Sequence, residues 1–286
     1  MHITFIGLGI MGSRMAKNLL KSDHDVTIYN RNKEKAQALV DFGGKIAPSL
    51  ELAVKQADVV FTMLSTPEVV EEIALGVNGF LQHMRLNSLW VDCTTVNPSF
   101  SRRMGKRAEA AGIRFLDAPV AGTKDPAENA QLVFLVGGDT GNLTSIQDLL
   151  DCMGKKTIHA GPVGQGSALK ILVNSMLAQS MAVFAETVHL GEALGFSRDY
   201  LLDVLPGFPV IAPFTKIKAE KIRKGNYEEE FPLEWIHKDL HLATLSAYEN
   251  DISLFMANLA KELYAQAKEE GLGREDMSAI FKVFGK

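Results

Sequence analysis

The sequence predicts a doubly wound α/β domain with a mostly parallel sheet, followed by an all-helical domain. Three observations carry this expectation. In the first half, β-branched runs alternate with amphipathic segments, as parallel sheets with helical crossovers require. A glycine-rich turn sits between the first of those runs and the first helical stretch. Beyond Gly161-Pro162-Val163-Gly164-Gln165-Gly166 the strand-type runs vanish and helical periodicity takes over almost to the end. The expected boundary therefore gives domains 1–163 and 164–286, and a chain of 286 residues suits two domains better than one.

In order, HITFIG, DVTIYN, VVFTML and SLWVDC read as strands, separated by the helical stretches SRMAKNLLKS, KEKAQALVDFG and EVVEEIALG. RFLDAPV and LVFLVGG extend the sheet. A helix-period segment over 142–153 and the short strand KTIHAG close it. From 167 to 195 no proline intervenes, and Gly191 alone interrupts the pattern before Gly195, predicting one helix of up to about 29 residues, roughly 43 Å long. Further helices are expected at 197–205, 213–224, 233–250 and 253–270, with a short last one near 277–284.

Composition narrows the function classes. A formal charge of −4 supplies no basic field for a nucleic-acid backbone, so nucleic acid is not an expected partner. Cys93 and Cys152 lack CxxC spacing, form no disulfide framework and do not resemble metal ligands, which fits a cytoplasmic enzyme without a metal. The N-terminus lacks the basic and long apolar regions of a signal peptide. The apolar stretch 171–184 is broken by Asn174, Ser175, Gln179 and Ser180, so it reads as a buried helix and no membrane partner is expected.

Gly7-Leu8-Gly9-Ile10-Met11-Gly12 follows the apolar run 3–6 and opens the helical segment 13–20, the context of a dinucleotide fingerprint. The first glycine permits the tight turn, the second lets the backbone approach a pyrophosphate, and the third packs helix on strand. The helix N-terminus then faces the phosphates. About 20 residues on, where an acidic side chain would hold the ribose 2′-OH of NAD, stand Asn30, Arg31 and Asn32. A guanidinium forks onto phosphate oxygens, so Arg31, with Asn30 and the nearby Lys33 and Lys35, points to NADP(H). The competing reading is that these cations solvate a helix start.

Taken together, FIGLGIMGSRMAKNL, VDCTTVNP, FLDAPVAGTKDPAENAQLVFLVGG, GQGSALKILVN and HKDLHLA resemble the β-hydroxyacid dehydrogenase family over nearly the whole chain. Within the family, NR after the second strand, GTK after APV and the ending DMSAIFK favour the glyoxylate/succinic semialdehyde reductase branch over 3-hydroxyisobutyrate dehydrogenases. The resemblance implies a Rossmann domain, a long interdomain helix, a helical domain that supports homodimers or homotetramers, and hydride transfer between a nicotinamide and a small hydroxyacid or aldehyde-acid.

It also implies a catalytic lysine at Lys170, with Asn174 orienting it or binding the substrate oxygen. On residue chemistry alone, Lys170 and Asn174 share a helical face amid Ala168, Leu169, Ile171, Leu172 and Val173. Such a lysine is either a snorkelling surface residue or a proton donor to a developing alkoxide. By the same resemblance Thr95 lies beside the nicotinamide, with Thr94 in place of a family serine, and Met63 and Leu64 line the adenosine side. Core packing is the alternative for those two. Gly122 and Thr123 match the loop that receives the substrate carboxylate, but Ala121 stands where the family has a serine. Losing that donor costs about 1.5–3 kcal/mol of substrate binding unless Thr123 or Lys124 compensates. Lys238 matches a cofactor-facing lysine, with a helix-surface ion pair as the alternative, Asp239 a bracing aspartate and Phe231 an aromatic near the substrate.

The expected function is NADPH-dependent reduction of a small aldehyde-acid of the succinic semialdehyde or glyoxylate type. The alternatives are a 3-hydroxyisobutyrate-type 3-hydroxyacid dehydrogenase and, in a different class, a non-catalytic NADP-binding sensor or scaffold.

Overall fold

The computed structural model describes residues 1–22 and 24–285; Lys286, the end of the expected second domain, lies outside them. The chain divides into two compact units, Met1–Lys170 and Ile171–Lys286.

The first unit opens with β1 (His2–Ile6), α1 (Ile10–Lys21), β2 (Asp25–Tyr29), α2 (Lys33–Gln37), β3 (Lys45–Ile46), α3 (Leu50–Val54), β4 (Val59–Thr62) and α4 (Pro67–Leu75). It continues through β5 (Leu89–Asp92), α5 (Pro98–Ala110), β6 (Arg114–Asp117), β7 (Val120–Ala121), α6 (Lys124–Glu128), β8 (Leu132–Gly138), α7 (Thr140–Thr144), α8 (Gln147–Asp151) and β9 (Gly154–Gly161). Strand order is β3-β2-β1-β4-β5-β6-β8-β7, with β9 beside β8. Pairing from β3 to β6 is parallel throughout, whereas β8 runs antiparallel to β6 and β7. The order reverses between β1 and β4, the switch point at which doubly wound sheets bind ligands beyond the strands' carboxyl ends.

The central strands β4 and β5 are buried at every position. One apolar cluster gathers Phe5, Met15, Leu19, Phe61 and Phe134, and another gathers Trp90, Phe100, Met104 and Phe115. Helix α5, which periodicity did not single out, buries Phe100, Met104 and Ala108 at four-residue spacing under an otherwise polar surface. The segment 142–153, read as continuous, is two short helices; Asp139 starts the first by accepting from Asn142 N at 2.9 Å.

Helix α9 (Gln165–Ala193) is 29 residues long and runs through the boundary between the units. In the second unit follow α10 (Arg198–Val204), α11 (Thr215–Lys224), α12 (Leu233–Tyr248), α13 (Phe255–Glu269) and α14 (Phe281–Phe284). The α9 residues Ala178, Met181, Ala185 and Val188 recur at alternating three- and four-residue steps and join one core with Ile236, Leu240 and Tyr264. By length and composition α9 could cross a membrane, contrary to the expectation that its polar residues keep it below that threshold. The helical unit's core, however, is built around it. Burial of Asp276 opposes its charge, but Lys218 Nζ at 2.9 Å and the Ser278 hydroxyl at 2.7 Å outweigh this and hold its carboxyl below the usual range.

Candidate active site

The glycine loop forms where β1 ends. Gly7 has φ +97, and a Cβ there would lie 2.3 Å from Met63 O, so both conformation and space demand glycine. Gly7 N donates to Tyr29 O at 3.0 Å, and Leu8 N donates to Asn30 Oδ1 at 2.9 Å. At Gly12 a Cβ would lie 2.0 Å from Gly7 O, so the first turn of α1 can sit this close to the loop only without a side chain. The space beside Gly9 is different: a Cβ there would meet nothing within 4 Å. Gly9, the N-cap of α1, has no side chain to cap the helix. An uncapped helix N-terminus behind an open backbone fits a pyrophosphate. Leu8 is core, and Met11 packs partly against the same cluster, so these loop residues also anchor the turn; Ile10 begins α1.

At the end of β2, Asn30 spends its amide on the loop, accepting from Leu8 N and donating to Asn32 O at 2.8 Å. Asn32 Oδ1 accepts from Glu34 N at 2.9 Å and caps α2. Arg31 is exposed between them. After β4, Met63 N donates to Ile6 O at 2.9 Å, and Leu64 N donates to Thr94 Oγ1 at 3.0 Å. The structure thus brings Met63, Leu64 and Thr94 beside the glycine loop, and both Met63 and Leu64 also touch apolar clusters. Thr95 follows, half-buried. A buried chain supports this strand end: Trp90 Nε1 donates to Thr62 Oγ1 at 2.9 Å, and Thr62 Oγ1 donates to Asp92 Oδ1 at 2.8 Å.

The segment matched to carboxylate recognition ends β7. Ala121 pairs with Val133, Gly122 is exposed with φ +133, and Thr123 precedes α6 without capping it through its side chain. The Thr123 backbone carbonyl accepts from Ala127 N at 3.0 Å.

Lys170 is buried in the second turn of α9. The start of that helix is held by a residue that pattern reading overlooked. Asp117, fully buried at the end of β6, accepts from Gly164 N at 2.7 Å and from Ser167 N at 2.8 Å. Burial pushes its carboxyl up to about 6, although the Gly164 and Ser167 N–H groups favour the charged form. The one sequence signal was an aspartate at the end of an apolar strand run, RFLD.

In the helical unit, Asn174 Nδ2 donates to Asp239 Oδ2 at 2.6 Å, and Lys238 Nζ lies 2.9 Å from Asp239 Oδ1. Asp239 and Asn174 are buried. The helix face of α9 and that of α12 thus join Asn174, Lys238 and Asp239 in one cluster. Phe231 packs on the apolar core, and its N–H donates to Asp276 Oδ2 at 3.2 Å. Burial and then Lys268 lower the pKa of His237, whose Nδ1 lies 3.3 Å from Lys268 Nζ. Ser278 is taken up by Asp276 and Lys282 by Glu275, so both serve the last helical turns.

Sheet order, open cradle and uncapped helix define a dinucleotide-binding protein of the Rossmann class. Residues 2–161 match the NAD binding domain of 6-phosphogluconate dehydrogenase, and residues 164–284 match the NAD-binding domain of NADP-dependent 3-hydroxyisobutyrate dehydrogenase. The chain belongs to the β-hydroxyacid dehydrogenase family and is an NAD(P)-binding oxidoreductase acting on CH–OH and carbonyl groups. It is 39% identical, over 98% of its length and 78% of the relative's, to glyoxylate/succinic semialdehyde reductase 2, chloroplastic, of Arabidopsis thaliana. It is 33% identical to glyoxylate/succinic semialdehyde reductase 1 of the same plant, covering 99% of this chain and 98% of that protein. It is also 33% identical, over 99% of its length, to the cytokine-like nuclear factor N-PAC of Homo sapiens, of which it spans 51%. Among solved structures, Mycobacterium tuberculosis 3-hydroxyisobutyrate dehydrogenase with L-serine superposes at a TM-score of 0.90 with 30% identity, covering 100% of this chain and 99% of that one.

Proposed function

We propose that the protein reduces a small aldehyde-acid of the succinic semialdehyde or glyoxylate type with NADPH, and that Lys170 donates the proton. The observation that carries this reading is a buried lysine followed, one helical turn later, by an asparagine tied to a buried carboxylate. The two reductases from Arabidopsis thaliana support the substrate class.

When bound, the reduced nicotinamide supplies a hydride to the carbonyl carbon. The carbonyl oxygen then gains charge, and the Lys170 ammonium stabilises it and gives up one proton, leaving the hydroxyacid and a neutral amine that solvent reprotonates. Asn174, oriented by Asp239, directs an amide toward the substrate oxygen or toward Lys170. Lys238 is assigned to the cofactor, with Asp239 fixing its ammonium. Gly7 through Gly12 hold the pyrophosphate, Arg31 receives the 2′-phosphate with Asn30 and Asn32 shaping the turn around it, and Met63, Leu64 and Thr95 line the dinucleotide. Ala121, Gly122, Thr123 and Phe231 are assigned to the substrate. We assign residues 1–163 to cofactor binding and residues 164–286 to substrate binding and oligomerisation.

We further place the enzyme in the cytoplasm as a homodimer or homotetramer. Free Cys93 and Cys152 support a reducing compartment, and exposed Leu172, Met176, Val183 and Leu190 along α9 support association. The likeness to N-PAC, whose name is that of a nuclear factor, together with Ala121, favours a second reading as an NADP-binding scaffold without turnover.

Lys170→Ala separates the two readings. The reductase reading expects a fall in kcat of about 10²–10⁴ with NADPH affinity nearly intact. Wild-type kcat in the variant would remove Lys170 from the mechanism.

A further inference from the structure

The N-terminus of α9 is secured from far away in the chain. Helix starts leave N–H groups that a neighbouring Ser, Thr, Asp or Asn ordinarily satisfies. Here the acceptor is Asp117, 47 residues before Gly164 and 50 before Ser167, with one carboxylate oxygen on each N–H. Space around it is closed: a Cβ on Gly137 would lie 2.5 Å from Asp117 Oδ1, and one on Gly166 would lie 2.3 Å from Leu135 O. The Ser167 hydroxyl meets Ser101 Oγ at 2.8 Å, tying the same turn to α5. Three residues after Ser167 comes Lys170.

We propose that Asp117 is a positioning residue for Lys170: its carboxylate, accepting two backbone N–H bonds, fixes where α9 begins and hence where the lysine stands. The inference rests on the assignment of Lys170 as proton donor. Two N–H groups are accepted most strongly by the ionised carboxylate, because protonation turns one oxygen into a donor and a much weaker acceptor. The clamp is therefore tightest in the charged form, while burial favours the neutral one.

The signs run in opposite directions. With the folded carboxyl raised from 3.8 to about 6, the neutral form contributes stability below pH 3.8, and this is lost as pH rises through about 6. Positioning of Lys170 is gained over the same rise. The titratable and charged groups around the clamp are Asp92, the register partner of Asp117 on β5, and Arg102 on α5, whose side chain borders Gly164. His159 on β9 lies nearby, its Nε2 2.8 Å from Gly138 O, and Lys170 follows Ser167 by three residues on α9.

The test combines variant kinetics with exchange in the wild-type protein. With NADPH and succinic semialdehyde, wild-type kcat should fall as pH drops through about 6. Asp117→Asn should lower kcat at pH 7.5 by roughly 10- to 100-fold, as small misplacements of a catalytic group do, keep NADPH affinity within about threefold, and lack that acid limb. Wild-type kcat, or an unchanged acid limb, in a folded variant would overturn the proposal. Should the variant not fold, hydrogen exchange of the wild type decides: amides of 164–170, corrected for intrinsic rates, should lose protection at pH 5 relative to pH 8, while those of 178–188 should not. Equal protection of 164–170 at both pH values would overturn it. The exchange result is independent of turnover, so a wild type inactive on every aldehyde would fault the assigned function and leave this test standing.

Discussion

The sheet unit and the helical unit present their chemistry by different means. In residues 1–170 the candidate groups are set by backbone atoms, packed on one another or held by a side-chain acceptor: Gly7 against Met63 O, Leu8 N on Asn30 Oδ1, Leu64 N on Thr94 Oγ1, Gly164 N on Asp117 Oδ1. In residues 171–286 they are set by side chains on side chains, Asn174 to Asp239 and Asp239 to Lys238. The lesson is one of tolerance. A cradle of backbone atoms binds the invariant part of a cofactor and depends on its glycines and on the few acceptor side chains that hold it, Asn30, Thr94 and Asp117, whereas a side-chain cluster is sensitive to each member and is where specificity can vary.

Two substitutions probe this contrast. Asp239→Ala removes the carboxylate shared by Asn174 and Lys238. Loss of a charge-assisted bond costs about 1.5–3 kcal/mol, so kcat/KM should fall roughly 10- to 150-fold. NADPH affinity, measured by fluorescence titration, should move far less, and an equal loss in both would erase the distinction between the units. Arg31→Asp acts on a side chain in the otherwise main-chain cradle. The ratio of kcat/KM for NADPH over NADH should drop by about tenfold or more, through loss of a guanidinium–phosphate pair and gain of repulsion. An unmoved ratio would show that Arg31 only solvates the start of α2.

The same contrast explains what the sequence revealed. The glycine loop was legible because its requirements are local: a turn at Gly7, openness at Gly9 and contact at Gly12 are spaced within six residues of a strand and a helix. The long helix was legible from 29 residues of pattern broken only by Gly191 before Gly195, with its ends shifted by two. Helix α5 was not, because three apolar positions under a charged surface give a weak period. Asp117 was not, because its partners lie 47 and 50 residues away and are backbone groups that leave no trace in side-chain identity. Asn30 illustrates the reverse case: read as a phosphate donor, its amide is engaged in holding Leu8 and Asn32. The joining of Asn174 to Asp239 was not legible: family likeness named the two residues separately, and no local spacing links positions 65 apart.

NADPH oxidation by the wild-type protein, followed with glyoxylate, succinic semialdehyde, methylglyoxal and a second uncharged aldehyde, decides whether the protein reduces aldehyde-acids. Turnover is expected with the two acids at higher kcat/KM than with the uncharged compounds, despite Ala121. Tight NADPH binding without turnover of any of the four would contradict the reductase reading and leave the scaffold reading in its place.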